Sequence, residues 1–492
     1  MKTTNGIIWL YIATCFLLLR SCIQGQPQSV CEGGSEYYFG VEIDGVLCGY
    51  SVERVCPVKK EGKPVLEVRS DVNLKLSILG AGVDMNFQVR EEVDPLNERL
   101  LFNETRITTG NATIQATSIV QGDTILFKGN GVSDPRKIAI TPDVILDIPL
   151  RYPYLYRDMI RGGAKEMKYR IYEPLPGEIV EKVFKNIGEE ELFINDSVYH
   201  ALVVEETDLS SMTKSKLWLN KEDGFEIKIL VAGRHIYLAD RSVMNKIRVV
   251  DFDNVIFARV NKMIPDFQHM TYLKVDASIQ TLGEEVTSTS LNRPGQYFTG
   301  EVSENFIDGV FEMQPLKYDG ANAPPFPPDY NSNEEIRKYL KPELQIESDD
   351  PAIIARARSI TEGSADSWEA AIRLSKWVAH NIKGAIPGGG SAINTYKMRE
   401  AECGGHSRLL AAFCRAVGIP ARLSIGCLYT THYGGSFGQH AWTEIYMGEA
   451  GWIPVDATIF EYDYVDAGHI RLGEKATFQP KEMSILDYRI EQ

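Results

Sequence analysis

The sequence predicts an α+β multidomain protein, with an N-terminal antiparallel β region followed by a C-terminal α+β domain. Three observations predict it. From about Glu36 to Gln314, apolar residues alternate with polar ones or gather in short β-branched runs, the two-residue period of strands. Ala321 to Tyr330 reads ANAPPFPPDY, and its prolines hold the backbone extended and exclude helix and central strand. Beyond that segment the apolar period lengthens to that of amphipathic helices.

The chain has 492 residues, 44% hydrophobic and 24% charged, ordinary for a globular protein of two or three domains. Its formal net charge of −15 argues against a nucleic-acid partner, because such a surface repels phosphate. At the N-terminus Lys2 precedes an apolar run from Ile7 to Leu19 and then small and polar residues, the grammar of a signal peptide cut after Gly25. The expected location is therefore exported, periplasmic or extracellular. Leu19-Arg20-Ser21-Cys22 also reads as a lipoprotein site, so the membrane enters only through Cys22 or an uncleaved N-terminal segment.

Cys31, Cys48 and Cys56 cluster near the mature N-terminus, where an oxidising compartment allows one disulfide and leaves one thiol over. None has the spacing of a zinc site. Asn103, Asn111 and Asn195 each begin a glycosylation triplet.

In the β region, Tyr37 to Ile43 and Val46 to Val52 flank Asp44-Gly45, a pair suited to a type I′ hairpin turn. Leu74 to Ile78, Thr113 to Val120, Ser215 to Leu219, Phe225 to Val231 and Tyr272 to Ile279 read as further strands, and Gly177 to Asn186 as a helix. The expected divisions are 1–25 signal peptide, 26–240 N-terminal β-rich domain, 241–320 second β-rich subdomain, 321–335 Pro-rich linker and 336–492 C-terminal domain.

In the last of these, Asp350 caps a helix opened by Pro351, and Asp366 with Glu369 resembles a capping box. The Glu347 to Asp350 run reads as solvated capping. Leu409, Leu410, Phe413, Ala416 and Val417 recur at helical spacing, and Gly418 and Pro420 end that helix, so it begins near Cys403. A cysteine there faces the positive end of the helix dipole, which favours thiolate, while Glu402 works against it. Gly404-Gly405 lets backbone approach a substrate carbonyl, and the Cys403 N–H is a candidate oxyanion donor. Cys414 and Cys427 read as core thiols.

Downstream, Gln439 to Met447 and Gly451 to Thr458 read as antiparallel strands. Pairing Met447 with Gly451 sets Trp442 opposite Asp456 and His440 diagonal to it, near enough for the carboxylate to hold Nδ1–H and present Nε2 to the thiol, whereas a four-residue loop pairing Met447 with Trp452 puts the two on opposite faces, so the triad needs an odd or bulged loop. His406 reads as a hydrogen-bonded or exposed helical histidine. Tyr433, in the Thr431 to Gly438 loop, and Trp442 are candidates for substrate contact.

Glu402-Cys403-Gly404 opening a helix, Ala416 to Arg422, His440-Ala-Trp-Thr-Glu444 and Gly451 to Asp456 together resemble the bacterial transglutaminase-like domain family of the papain-like cysteine superfamily. The resemblance covers roughly Leu340 to Tyr488. It implies Cys403 as nucleophile, His440 as general base and Asp456 as orienting acid; Gly404, Trp442 and Tyr433 stand as substrate-contact candidates on the reading of the residues alone. Ala401 departs from the Gly found in many relatives. No metal or organic cofactor is implied, and calcium sites of animal relatives do not transfer onto the Glu347 to Asp350 run. The implied partner is a protein or peptide substrate whose amide bond is opened through a thioester, with hydrolysis (protease or amidase) favoured over transamidation. A silent binding module and a structural envelope protein are the alternatives, and the intact Cys, His and Asp argue against both.

Overall fold

A computed structural model describes residues 33–491 apart from 131–134, 147, 149, 176, 210–212, 232, 282–285, 304, 316, 331–332, 387 and 475–477. The expected signal peptide, with Cys22 and Cys31, lies outside the described residues. The described residues form two compact units, one within residues 33–251 and the other within 252–491. Among the described residues no helix is long and apolar enough to cross a membrane.

Among the described residues the first unit is a single 16-stranded sheet of two antiparallel meanders, with Val144–Ile145 added parallel at one end and Val250–Asp251 parallel beside Lys63–Ile78. The meanders join where Ser35–Ile43 pairs with Arg234–Ala239. The Asp44-Gly45 hairpin forms as expected, with both residues at positive φ. At the outer ends of the meanders, the Ser118 and Tyr172 hydroxyls meet at 2.7 Å. Leu100 and Ile125 of one meander pack there with Val144, Leu146 and Tyr172 of the other, so the sheet curls onto itself.

The expected helix at Gly177 to Asn186 is instead part of the strand Glu178–Ile194. The two-residue period decides it. Val180, Lys182 and Phe184 share the buried face, and Lys182 is neutralised by Glu173 at 2.6 Å and Glu206 at 2.8 Å on the flanking strands. A buried lysine reads as polar in sequence, which disguised the alternation. Cys56 is disulfide-bonded, and Cys48 is a free, buried thiol. Asn103 is buried and donates to Glu91 at 2.8 Å, which withdraws it from glycosylation.

In the second unit, Met270–Thr281, Gln296–Val302 and Phe306–Met313 form a four-stranded sheet with the C-terminal strand Phe478–Ile490. The segment expected as a second β subdomain thus shares its sheet with the end of the C-terminal domain. A five-stranded sheet runs Phe257–Arg259, Ser436–Tyr446, Ala421–Thr430 and His469–Gly473, with Trp452–Val455 beside Ser436–Tyr446. Leu273, Val275, Phe298 and Phe311 of the first sheet pack with Ile425, Cys427, Tyr429 and Ile470 of the second.

Helices Pro351–Thr361, Ser367–Asn381 and Cys403–Ala416 build the other core, where Leu374, Val378, Leu409 and Phe413 meet Ile445 and Val455. Asp350 and Asp366 cap the first two as expected. Gly418 (φ 86°) turns the chain after the third, and the Ile419 N–H closes back on the Cys414 carbonyl at 2.9 Å. The Pro-rich segment lies along this domain: Pro324 and Pro325 carbonyls accept from the backbone and hydroxyl of Ser367. Glu347 is fully buried, correcting the expectation of a solvated run; its carboxylate accepts the Ile393 N–H at 3.1 Å.

Candidate active site

Cys403 is the first residue of the helix Cys403–Ala416, and Glu402 is its N-cap. The Glu402 carboxylate accepts the N–H groups of Gly404 at 2.5 Å and Gly405 at 3.0 Å. These orphan donors of the first turn are therefore satisfied by the chain itself. The two glycines make room for that arrangement. A Cβ on Gly404 would meet Glu402 and Arg408 at 2.8 and 2.9 Å, and one on Gly405 would meet Ala401 at 2.6 Å. The pair is thus consumed by internal packing, where open backbone beside a substrate was expected.

The strand Ser436–Tyr446 crosses beside the helix. Ser407 Oγ donates to the Ala441 carbonyl at 3.1 Å, and the Ala441 N–H donates to Cys403 Sγ at 3.4 Å. The sulfur is thereby fixed next to the residue that follows His440. The return strand takes the expected register: Met447 N–H bonds the Gly451 carbonyl, and Thr443 lies opposite Val455. His440 Nε2 then stands 2.5 Å from Asp456 Oδ2. The expectation that Asp456 would hold Nδ1 is corrected. Nε2 faces the carboxylate, which leaves Nδ1 as the other ring nitrogen.

All three side chains are buried, Cys403 at 1% exposure. Burial, and next the charge of Glu402, push the Cys403 thiol well above its usual range, while the Ala441 N–H and Arg408 oppose this. Burial raises Glu402 itself to about 7, against the pull of Arg408. Asp456 lies far below the carboxylate range: burial acts against ionisation, but His440 and His469 outweigh it.

Trp442 is buried and stacks on His440, with ring centroids 6.1 Å apart and 23° between planes. Tyr433 lies in a turn, where its hydroxyl bonds Asp253, its ring packs on Phe257 at 5.7 Å, and Arg259 sits over its face. His406 is buried, with ring nitrogens at 2.8 Å from the Glu402 carbonyl and 3.3 Å from the Ile382 carbonyl. Cys414 and Cys427 are buried free thiols. Sequence reasoning missed His469, whose Nε2 also reaches Asp456 Oδ2, at 3.3 Å. The chemical hint was Asp466-Ala-Gly-His469, a short polar loop running into a strand.

Among solved structures, the chain is similar to a "Putative Cysteine Protease" from Cytophaga hutchinsonii, at 17% identity, 45% coverage of this chain, 90% of that chain and a TM-score of 0.32. It is also similar to the periplasmic domain of TgpA from Pseudomonas aeruginosa bound to ethylmercury, at 15% identity, 42% and 90% coverage and a TM-score of 0.25. A third is a β-barrel-like protein of domain of unknown function DUF1849 from Brucella abortus, at 9% identity, 42% and 94% coverage and a TM-score of 0.31. No curated protein matches the chain. The family model that matches is that of the Transglutaminase-like superfamily, over residues 354–457, a segment that includes Cys403, His440 and Asp456. The C-terminal α+β region of this chain therefore carries a transglutaminase-like superfamily domain.

Proposed function

We propose that this domain is a cysteine-dependent acyl-transfer enzyme acting on amide bonds of protein or peptide, with hydrolysis favoured over transamidation, in an exported protein. The observation that carries the reading is the convergence of Cys403 Sγ on the Ala441 N–H, adjacent to His440, with His440 bound to Asp456. In this reading His440 Nδ1 takes the proton of Cys403 as the sulfur attacks the carbonyl carbon. The Cys403 N–H supports the oxyanion at the helix N-terminus. Collapse breaks the C–N bond, His440 returns the proton to the leaving amine, and a thioester remains. Water, or a lysine amine in transamidation, then attacks the thioester and regenerates the thiol. Asp456 holds the imidazole and stabilises its charged form.

A second reading, a catalytically silent module of the cell envelope, is favoured by one observation, the burial of all three side chains. Incubation of the full chain with a mixture of cellular peptides, with and without a primary amine, separates the possibilities by mass spectrometry. Cleavage or deamidation that disappears in Cys403→Ala supports hydrolysis, and amine incorporation supports transamidation. Product-free mixtures identical for both proteins overturn the enzyme in favour of the silent module.

A further inference from the structure

Twelve residues beyond the matched segment, the polar chain continues. His469 begins a strand that pairs with Ala421–Thr430 on the edge away from the His440 strand, opposite Leu428. Its Nε2 lies 3.3 Å from Asp456 Oδ2, the oxygen that His440 occupies at 2.5 Å. Its Nδ1 lies 3.1 Å from Asp466 Oδ1 and 3.9 Å from Glu461 Oε2. The other Asp456 oxygen accepts the Thr458 N–H at 2.8 Å. Trp442 packs against the His469 ring at 5.1 Å, and the His440 ring is 5.9 Å away. The titratable groups facing His469 are thus Asp456, Asp466, Glu461 and His440, and all are buried.

An imidazole with a carboxylate oxygen against each nitrogen satisfies both only when both carry a proton. A neutral ring would set one lone pair against an acceptor in a buried site, at a cost of roughly 1–3 kcal/mol. We propose that His469 is a positioning residue, a buried imidazolium that clamps the Asp456 carboxylate against His440 and divides its charge between two rings. The inference rests on the catalytic reading of Cys403, His440 and Asp456. Burial opposes the charge on His469, but Asp456 and Asp466 hold its titration well above the usual histidine range. The fixed positive charge beside the relay favours the thiolate. It also explains how one oxygen serves two rings: the carboxylate is locked by three donors and cannot turn from His440.

The test is the pH profile of Cys403 alkylation by iodoacetamide in the full chain, read as the mass of the Cys403 peptide, for wild type, His469→Gln and His440→Ala. Glutamine keeps a donor toward Asp456 but not the charge. His469→Gln is expected to move the profile to higher pH by about one unit, which makes alkylation roughly tenfold slower on the acid limb. A folded His469→Gln whose profile superimposes on wild type, while His440→Ala slows alkylation, overturns the clamp alone. Indifference of wild type to His440→Ala overturns the catalytic reading and the clamp with it. Should His469→Gln not fold, ring nitrogen NMR of Cys403→Ala at pH 8 decides. A doubly protonated ring that persists when His440→Ala is added supports the clamp, and one that vanishes with His440, or eight neutral histidines in Cys403→Ala, overturns it.

Discussion

Glu402 caps the helix that Cys403 opens, so the carboxylate that orders the first turn also sits beside the thiol. The two roles conflict electrostatically. Capping satisfies the Gly404 and Gly405 donors, while the negative charge disfavours a second one on sulfur. Arg408, with a guanidinium nitrogen 3.8 Å from Glu402, partly offsets it.

Glu402→Gln should therefore shift Cys403 alkylation to lower pH and make it several-fold faster at pH 8. Because burial raises Glu402 to about 7, its ionised cap contributes least above that pH, so the stability lost in Glu402→Gln should be largest at pH 5 and shrink by pH 8. Alkylation kinetics and urea unfolding on the same protein check both signs; an unchanged or slower reaction would refute the electrostatic conflict.

A second consequence concerns pH and stability. Glu347 is raised to about 7 by burial, partly countered by the Ile393 N–H. Because its folded pKa exceeds the unfolded carboxylate value, its contribution is full below about pH 4.5 and is lost as pH rises through about 7. Wild type should lose more Tm between pH 5 and pH 8 than Glu347→Gln. Parallel Tm curves for the two proteins would exclude this assignment.

Glu444 is fully buried and gathers three guanidinium groups, Arg422 at 2.7 Å, Arg293 at 2.8 Å and Arg471 at 3.0 Å. Arg293 lies between Met270–Thr281 and Gln296–Val302, two strands of the four-stranded sheet, so the network ties that sheet's segment to the His440 strand. Glu444→Gln removes the buried carboxylate that three partly buried guanidinium groups share, leaving Arg422 its contact with Glu474 at 2.5 Å, and should cost roughly 3 kcal/mol. Chemical denaturation gives this directly, and a loss below about 1 kcal/mol would show the pairs to be solvated.

Much of this was legible in sequence because it depends on local rules. Asp44-Gly45 dictates its hairpin, the apolar spacing from Leu409 to Val417 dictates its helix, and pairing Met447 with Gly451 dictates where His440 stands relative to Asp456. What stayed hidden depends on contacts between distant segments. Lys182 belongs to a buried face only because Glu173 and Glu206 flank it on neighbouring strands. His469 reaches Asp456 only because its strand joins the sheet on the far side of Ala421–Thr430. The ring nitrogen that faces Asp456 is set by the side-chain rotamer, which strand register leaves open.

The central claim is that His440 takes the proton of Cys403, and it is tested most directly by the rate of Cys403 alkylation at pH 6 in wild type and His440→Ala. At least about a tenfold faster reaction is expected in wild type, because His440 can accept the proton as the buried sulfur attacks the reagent, whereas the alanine variant has no base beside the thiol. Equal rates in two folded proteins would contradict it.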